Sequence, residues 1–443
     1  MSIVERVREA GVVGAGGAGF PTHVKLGARA EAVIANGAEC EPLLCVDKEL
    51  MQHRAQRVVR GLRLAMEATG ARRGVIATKA RYSEAVAALR AELGDEERIS
   101  LHLLAGYYPS GDEKSLIYEV AGQVVPSGKL PPDVGCAVLN VGTLIGVADA
   151  AEGVPVTAKT LTIGGDVPSP VTVEAPVGAG IRALLPLAGF AGDEGTHALI
   201  VGGPCMGVLA ESWDEPITKT TGGLLLLRRD HPLIVRRLLS VERQAKLARA
   251  VCCQCSFCTQ MCPRSALGLR VEPHKAMRAF VTGRGALLGD PRSVLACSSC
   301  GLCTNYACNF GLAPDRVMDA LKAAFGKAGI GPVPEADIRA DPFVAFKRVP
   351  VKRLIARMGL AAFDRPAPFA QARIAPDRVR LLLRQAVGKP SLPVVQKGAR
   401  VRRGEVIAAI PENALGAALH ASIDGTVTAV SDTMIEISKG GVA

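Results

Sequence analysis

A multidomain α/β chain is predicted from three observations. The first third alternates short apolar runs with segments of helical period, nine of the thirteen cysteines fall between Cys252 and Cys308, and residues 366–440 divide into short strands separated by glycine turns. At 443 residues the chain exceeds one ordinary core, which implies about three or four domains. Its 49% hydrophobic and 21% charged content is that of a globular protein. No window holds eighteen uninterrupted apolar residues and the start, MSIVERVREAG, is charged within five residues, so neither a membrane span nor a signal peptide is expected. The expected compartment is the cytoplasm. The net charge of +11 does not indicate nucleic acid, because the basic residues are dispersed and aromatics make up only 4%. It favours acidic partners or substrates.

In the N-terminal third, strands are expected at 32–36, 74–79, 99–105 and 136–141, with helices at about 48–69, 82–93, 112–122 and 143–152. This alternation builds a layered α/β domain. A short amphipathic helix at 2–10, with Ile3, Val4, Val7 and Ala10 on one face, precedes the glycine loop Gly11 to Thr22. Gly14, Gly16 and Gly19 satisfy G-x-G-x-x-G, and Glu39 stands twenty residues on. A dinucleotide loop of that type follows a buried strand, whereas Glu5, Arg6, Arg8 and Glu9 precede this one. Loops so rich in glycine still bring backbone N–H groups close to a ligand, with Lys25 available as a point charge for phosphate.

Residues 155–210 read as a small β-rich module: TLTIGG, VTVEAP, the helix-like IRALLPLAG and the strand LIVGG. The loops Gly202 to Gly207 and Thr218 to Gly223 look like ligand loops but are weighed as mostly structural turns that return the chain to the first domain.

The cysteine region carries the sharpest signal. Cys252, Cys255, Cys258 and Cys262 are spaced C-x2-C-x2-C-x3-C with Pro263 next, and Cys297, Cys300, Cys303 and Cys308 are spaced C-x2-C-x2-C-x4-C. Such runs aim three thiolates of one loop at a cubic cluster, while the fourth cysteine ligates the other cluster. Two 4Fe-4S clusters are expected, one on Cys252, Cys255, Cys258 and Cys308, the other on Cys297, Cys300, Cys303 and Cys262. Structural zinc prefers separated C-x2-C pairs, and disulfides require an oxidising compartment. Cys253 is the member out of register. Pro273 to Gly289 is long enough for one helix and a turn, which lets the two cysteine loops fold back on each other.

Asp341 to Arg365 reads as a basic linker whose helix is solvated, and the C-terminal segment as a lipoyl-like barrel-sandwich. Its hairpin tip, Pro411 to Ala418, holds no lysine, so a structural or docking module is expected rather than a carrier.

Four stretches, in order, resemble the flavoprotein subunit of complex I: GAGGAGFPT, Asn36 to Pro42, Tyr108 to Lys114 and Asn140 to Thr143. The resemblance implies a non-covalent FMN contacted by Gly14, Gly16, Gly17, Gly19, Lys25, Asn36, Glu39, Tyr108, Gly111, Asp112, Asn140 and Thr143. It places Phe20 and Glu41 toward the nicotinamide of NADH. Ligands for two clusters, where the complex I subunit has one, shift the resemblance toward the RnfC branch. VVGAGGAGFPTHVKL, NGAECEPLL and the domain order are most similar to the PduS family of corrinoid reductases. The implied domains are a Rossmann-like FMN-binding domain (1–153), an SLBB β-grasp domain (154–235), a helical dicluster ferredoxin-like module (236–330), a basic linker (331–365) and a barrel-sandwich hybrid domain (366–443). The implied activity carries electrons from NADH through FMN and two clusters to cobalamin or a corrinoid-binding protein, inside a bacterial microcompartment and next to its shell. The alternative is an RnfC-like subunit that delivers electrons to a protein partner. No Asp-x-His-x-x-Gly occurs, so a corrinoid would be met at a surface or on a partner.

Overall fold

The computed structural model describes residues 1–332, 338–372 and 374–440. Residues 333–337 of the expected linker, and 373 and 441–443 of the expected C-terminal domain, lie outside the described residues. The N-terminal region is built on four parallel strands, β1 (Ala32–Gly37), β2 (Arg73–Lys79), β3 (Ile99–Leu104) and β5 (Cys136–Asn140), in the order β3-β2-β1-β5; the two-residue β4 (Tyr107–Tyr108) lies outside this sheet. Around them stand helices α1 (Ile3–Glu9), α2 (Thr22–Leu26), α3 (Val46–His53), α4 (Ala55–Thr69), α5 (Ser83–Leu93), α6 (Glu113–Ala121) and α7 (Val141–Ala151). The chain steps outward from β1 to β3, then returns to the other side of β1. A crevice therefore opens between the carboxyl ends of β1 and β5, the place where ligands bind in sheets of this type. Asn36 and Asn140 pair in register there.

The helix expected over 48–69 is two helices. Arg54, at φ −134° and ψ 32°, breaks it, and its guanidinium turns to Glu174 at 2.5 Å. On α4, Val58, Val59, Leu62, Ala65 and Met66 recur at helical spacing and are buried. Each full-sized side chain among them contributes about 1.5–3 kcal/mol by burial. Gly61 is what lets α4 approach α7, since a Cβ there would lie 2.0 Å from the Leu144 carbonyl oxygen. Gly61→Ala should therefore destabilise by about 1–3 kcal/mol, as overpacking does. Without the clash, alanine in a helix would instead stabilise by up to about 1 kcal/mol, so the direction of the shift in denaturation midpoint decides.

The middle module is a mixed sheet. β6 (Ala158–Gly165) and β7 (Val171–Pro176) form a hairpin, helix Ile181–Leu184 follows, and β8 (His197–Val201), β9 (Val208–Leu209) and β10 (Gly223–Arg228) complete the order β7-β6-β10-β8-β9, with β10 parallel to β6. Phe369–Ala370, from the C-terminal segment, extends this sheet beside β7. Trp213 packs in its core against Phe190, with ring centroids 5.8 Å apart.

The cysteine region is mainly short helices, with Pro273–Thr282 between the two runs. The segment beyond it corrects an expectation, because helix Val351–Arg357 is packed rather than solvated. Val351, Leu354, Ile355 and Met358 recur at helical spacing and, with Leu360 beyond the helix end, join Tyr108, Ile200, Leu225, Cys300 and Leu302 in one core, while Lys352, Arg353 and Arg357 face outward. Val349–Pro350 pairs with β4 of the N-terminal domain. Apolar spacing outweighs basic composition here. The C-terminal domain stacks a four-stranded sheet on a three-stranded one around Val379, Leu381, Ile407, Val427, Ile435 and Ile437. Its tip is docked: Ala417 and Ala418 are buried, and the Ala418 carbonyl accepts from Lys219 Nζ at 2.7 Å. Among the described residues no helix is long and apolar enough to cross a membrane.

Candidate functional site

A cavity of about 730 Å³ fills the crevice beyond β1 and β5, a size suited to nucleotide-like ligands. Most of its wall comes from the glycine loop and strand ends of the first domain and from the 154–160, 201–208 and 218–222 segments of the second, with Arg403 added by the last. Ser298 and Cys300 reach it from the cysteine region. The glycine loop is closed by a bridge between Val13 and Pro21 and by Gly14 N–H donating to the Phe20 carbonyl at 2.9 Å. Thr143 Oγ1 holds the loop by accepting from Ala15 N–H at 2.9 Å. Of the residues singled out in the sequence, Gly16, Gly17, Asn36, Glu39, Glu41, Gly111, Asp112 and Asn140 line the cavity, whereas Gly14, Gly19, Phe20, Lys25, Tyr108 and Thr143 are outside its lining.

The reasons for those exceptions are local. Lys25, on α2, turns to Glu113 at 2.8 Å and to the Val138 carbonyl at 3.1 Å, so it faces α6 and β5. Gly19 lies against Thr220 and the Gln385 carbonyl, where a Cβ would come within 2.8 Å of Thr220. Tyr108 is fully buried, and its hydroxyl donates to the Cys300 carbonyl at 2.6 Å and lies 3.2 Å from Glu41 Oε1. Glu41 accepts from Cys205 N–H at 2.8 Å and Met206 N–H at 3.1 Å. Burial raises its carboxyl above the usual range, although these donors oppose the shift. Only glycine fits at 203, because a Cβ there would overlap the Glu41 carboxylate. The 202–207 and 218–223 turns are thus walls of the cavity, not merely returns of the chain.

Residues that sequence reasoning passed over complete the site. Asp47, on α3, lines the cavity, accepts from Asn140 Nδ2 at 2.9 Å, and offers its backbone N–H to the Glu39 carboxylate. Burial and then the Asp47 charge push Glu39 well above the usual carboxylate range, and burial likewise raises Asp47. Lys159, on β6, donates to the Ala15 carbonyl of the glycine loop at 2.7 Å. Burial pulls its ammonium down to about 8, although Asp47 and Glu39 oppose the shift. No motif marks either residue.

The cysteines gather in two sets. Cys258 is pushed up to about 12 by burial and then by the charges of Cys308, Cys255 and Cys252. Cys262, also raised to about 12, feels Cys297, while Cys303 feels Cys300, Cys297 and Cys262. Four thiols so placed repel one another as thiolates, and a metal core would remove that penalty. Among the described residues no three such groups converge tightly enough for a single ion. Cys253 is exposed, and Cys262, Cys300 and Cys303 are buried. Next to Cys262, Arg264 joins the cysteine region to the first domain, its Nη2 donating to Asp112 Oδ1 at 2.6 Å.

The model of the Nuo51 FMN-binding domain matches residues 7–149, that of the 4Fe-4S dicluster domain 251–313, and that of the RnfC barrel sandwich hybrid domain 366–442. An FMN-binding domain joined to a dicluster domain across one cavity defines a flavin iron-sulfur electron-transfer oxidoreductase. The chain is 46% identical to cobalamin reductase PduS of Salmonella typhimurium over 99% of its own length and 96% of that protein, and 43% identical to that of Citrobacter freundii over 99% and 97%. It belongs to the PduS family. It is also 38% identical, over 59% of its length and 58% of the relative's, to a component of the Na(+)-translocating ferredoxin:NAD(+) oxidoreductase complex of Acetobacterium woodii.

Proposed function

We propose that the chain is an NADH-dependent cobalamin reductase of a bacterial microcompartment pathway, holding FMN in the cavity and two 4Fe-4S clusters on the cysteine sets Cys252, Cys255, Cys258, Cys308 and Cys262, Cys297, Cys300, Cys303. The observation that carries this reading is that Cys300 and Ser298 stand in the wall of the same cavity as Gly16, Gly17 and Asn140. A candidate cluster ligand thus borders the flavin site directly. FMN, when bound, exchanges electrons in pairs with a nicotinamide and singly with clusters. The chain's own part is to hold the ligand against Asn36, Asn140 and the glycine loop. Tyr108 ties the Cys300 loop to Glu41, and Cys253 and Cys255 present the outer cluster's loop to solvent. The proposed domains are 1–153 for FMN, 154–235 as an SLBB β-grasp unit, 236–330 for the clusters and 366–443 as the barrel-sandwich. The hairpin–helix order of the middle sheet, with β10 parallel to β6 at its centre, supports the β-grasp assignment.

Anaerobic reconstitution should yield protein that binds FMN and about eight irons and reduces cobalamin with NADH. Two clusters without flavin affinity would refute the reading. If NADH reduces the clusters but cobalamin stays oxidised until another protein is added, the RnfC-like role stands instead. Full-length similarity to the cobalamin reductases, against 59% coverage for the Acetobacterium relative, supports the first.

A further inference from the structure

We infer that the phosphate of the nucleotide held in this cavity is read by Lys159 of the middle domain and Arg403 of the C-terminal barrel-sandwich, and not by Lys25. The inference rests on the flavin reading above. Thr157 and Lys159 are two residues apart where the chain enters β6, so their side chains point to one side, and both line the cavity. Lys159 uses one N–H on the Ala15 carbonyl and keeps two for a ligand. Arg403 is braced from two directions: its Nε donates to Thr157 Oγ1 at 3.1 Å, and its backbone N–H donates to Asp424 Oδ1 at 2.7 Å. Its two terminal amino groups engage in none of the described hydrogen bonds or ion pairs, which leaves the edge that recognises oxyanions in a bidentate fashion open to the cavity. Thr160, Thr218, Thr220 and Thr221 add further polar lining to the cavity. Glu39, Glu41, Asp47 and Asp112 also line the cavity, and a carboxylate repels phosphate.

This arrangement gives the C-terminal domain a part in ligand binding and makes nucleotide occupancy a link between domains. The shared chemistry is a phosphate oxyanion, whose source is either FMN or the pyrophosphate of a nicotinamide dinucleotide. Dissociation constants of FMN, riboflavin and ADP-ribose would be measured on the cluster-loaded full chain and on its Lys159→Ala, Arg403→Ala and Lys25→Ala variants. If the flavin phosphate is read, FMN affinity should fall roughly 10- to 100-fold in the Lys159 and Arg403 variants, with riboflavin unmoved, the size of a charge-assisted bond. If the dinucleotide is read, ADP-ribose should weaken by that factor and FMN should not. The inference is overturned if FMN and riboflavin weaken equally, if all three ligands are unmoved, or if only Lys25→Ala weakens FMN. Arg403 is exposed, so its variant decides the matter should Lys159→Ala fail to fold. A wild-type chain that binds no flavin would instead refute the flavin reading itself.

Discussion

Cys262→Ser is expected to remove the cluster held by Cys297, Cys300 and Cys303 while leaving the other in place, so iron should fall from about eight to about four per chain. The reason is the crossed ligation proposed above. Cys262 belongs by sequence to the run Cys252, Cys255, Cys258, yet its buried thiol interacts with Cys297 and Cys300 of the second run. Cys308 belongs to the second run, and Cys258 faces it. NADH-driven cobalamin reduction should be lost with this cluster, since Cys300 borders the cavity proposed for the flavin, while FMN affinity should persist. A double variant gives the sharpest reading. With crossed ligation, Cys262→Ser combined with Cys252→Ser strips both clusters. If each run instead held its own cluster, the same pair would damage only one, and about four irons would survive.

The strands of the flavin domain were legible because a parallel sheet covered on both faces needs continuous apolar runs, and AVIAN, GVIATK and CAVLNV are such runs. The ligand end of that sheet was legible too, since Asn36, Gly111 and Asn140 sit in motifs whose spacing survives folding. What the sequence concealed depends on contacts made at long range. Arg54 carries no helix-breaking signal, and its break accompanies an ion pair with Glu174, far along the chain. Lys25 attracts attention by standing beside the glycine loop, but α2 turns it toward Glu113. Lys159 stands in an unremarkable TAKT segment and reaches the same loop from another domain. In the 341–365 segment basic residues are conspicuous, while Val351, Leu354 and Ile355 decide the packing.

Arg264→Met is expected to destabilise the chain by about 3–5 kcal/mol, because it leaves the Asp112 carboxylate buried and without its counter-charge. The two side chains are only 12% and 8% exposed, so solvent offers little compensation. Asp112 also caps α6 by accepting from Ser115 N–H at 3.1 Å, which ties the pair to the start of that helix. Burial, the largest influence, pushes the Asp112 carboxyl up, but the charge and hydrogen bond of Arg264, with the Ser115 bonds, outweigh it and leave the group below its usual range. In the parent, therefore, this group's contribution is fully present above the unfolded pKa of about 3.9 and is lost only as pH falls through the lower folded value. In the variant the sign reverses. Burial then acts with less opposition, the folded pKa rises above the unfolded one, and protonating Asp112 relieves the defect. The stability gap between parent and Arg264→Met should accordingly be widest near pH 8 and narrow toward pH 5, as read by thermal unfolding of cluster-loaded protein. Asp112→Asn added to Arg264→Met should recover much of the loss at pH 8 and flatten that pH dependence. A gap that stays constant with pH, or a double variant no more stable than Arg264→Met, would mean that the cost is lost packing around Cys262 rather than an uncompensated charge between the cluster loop and the flavin domain.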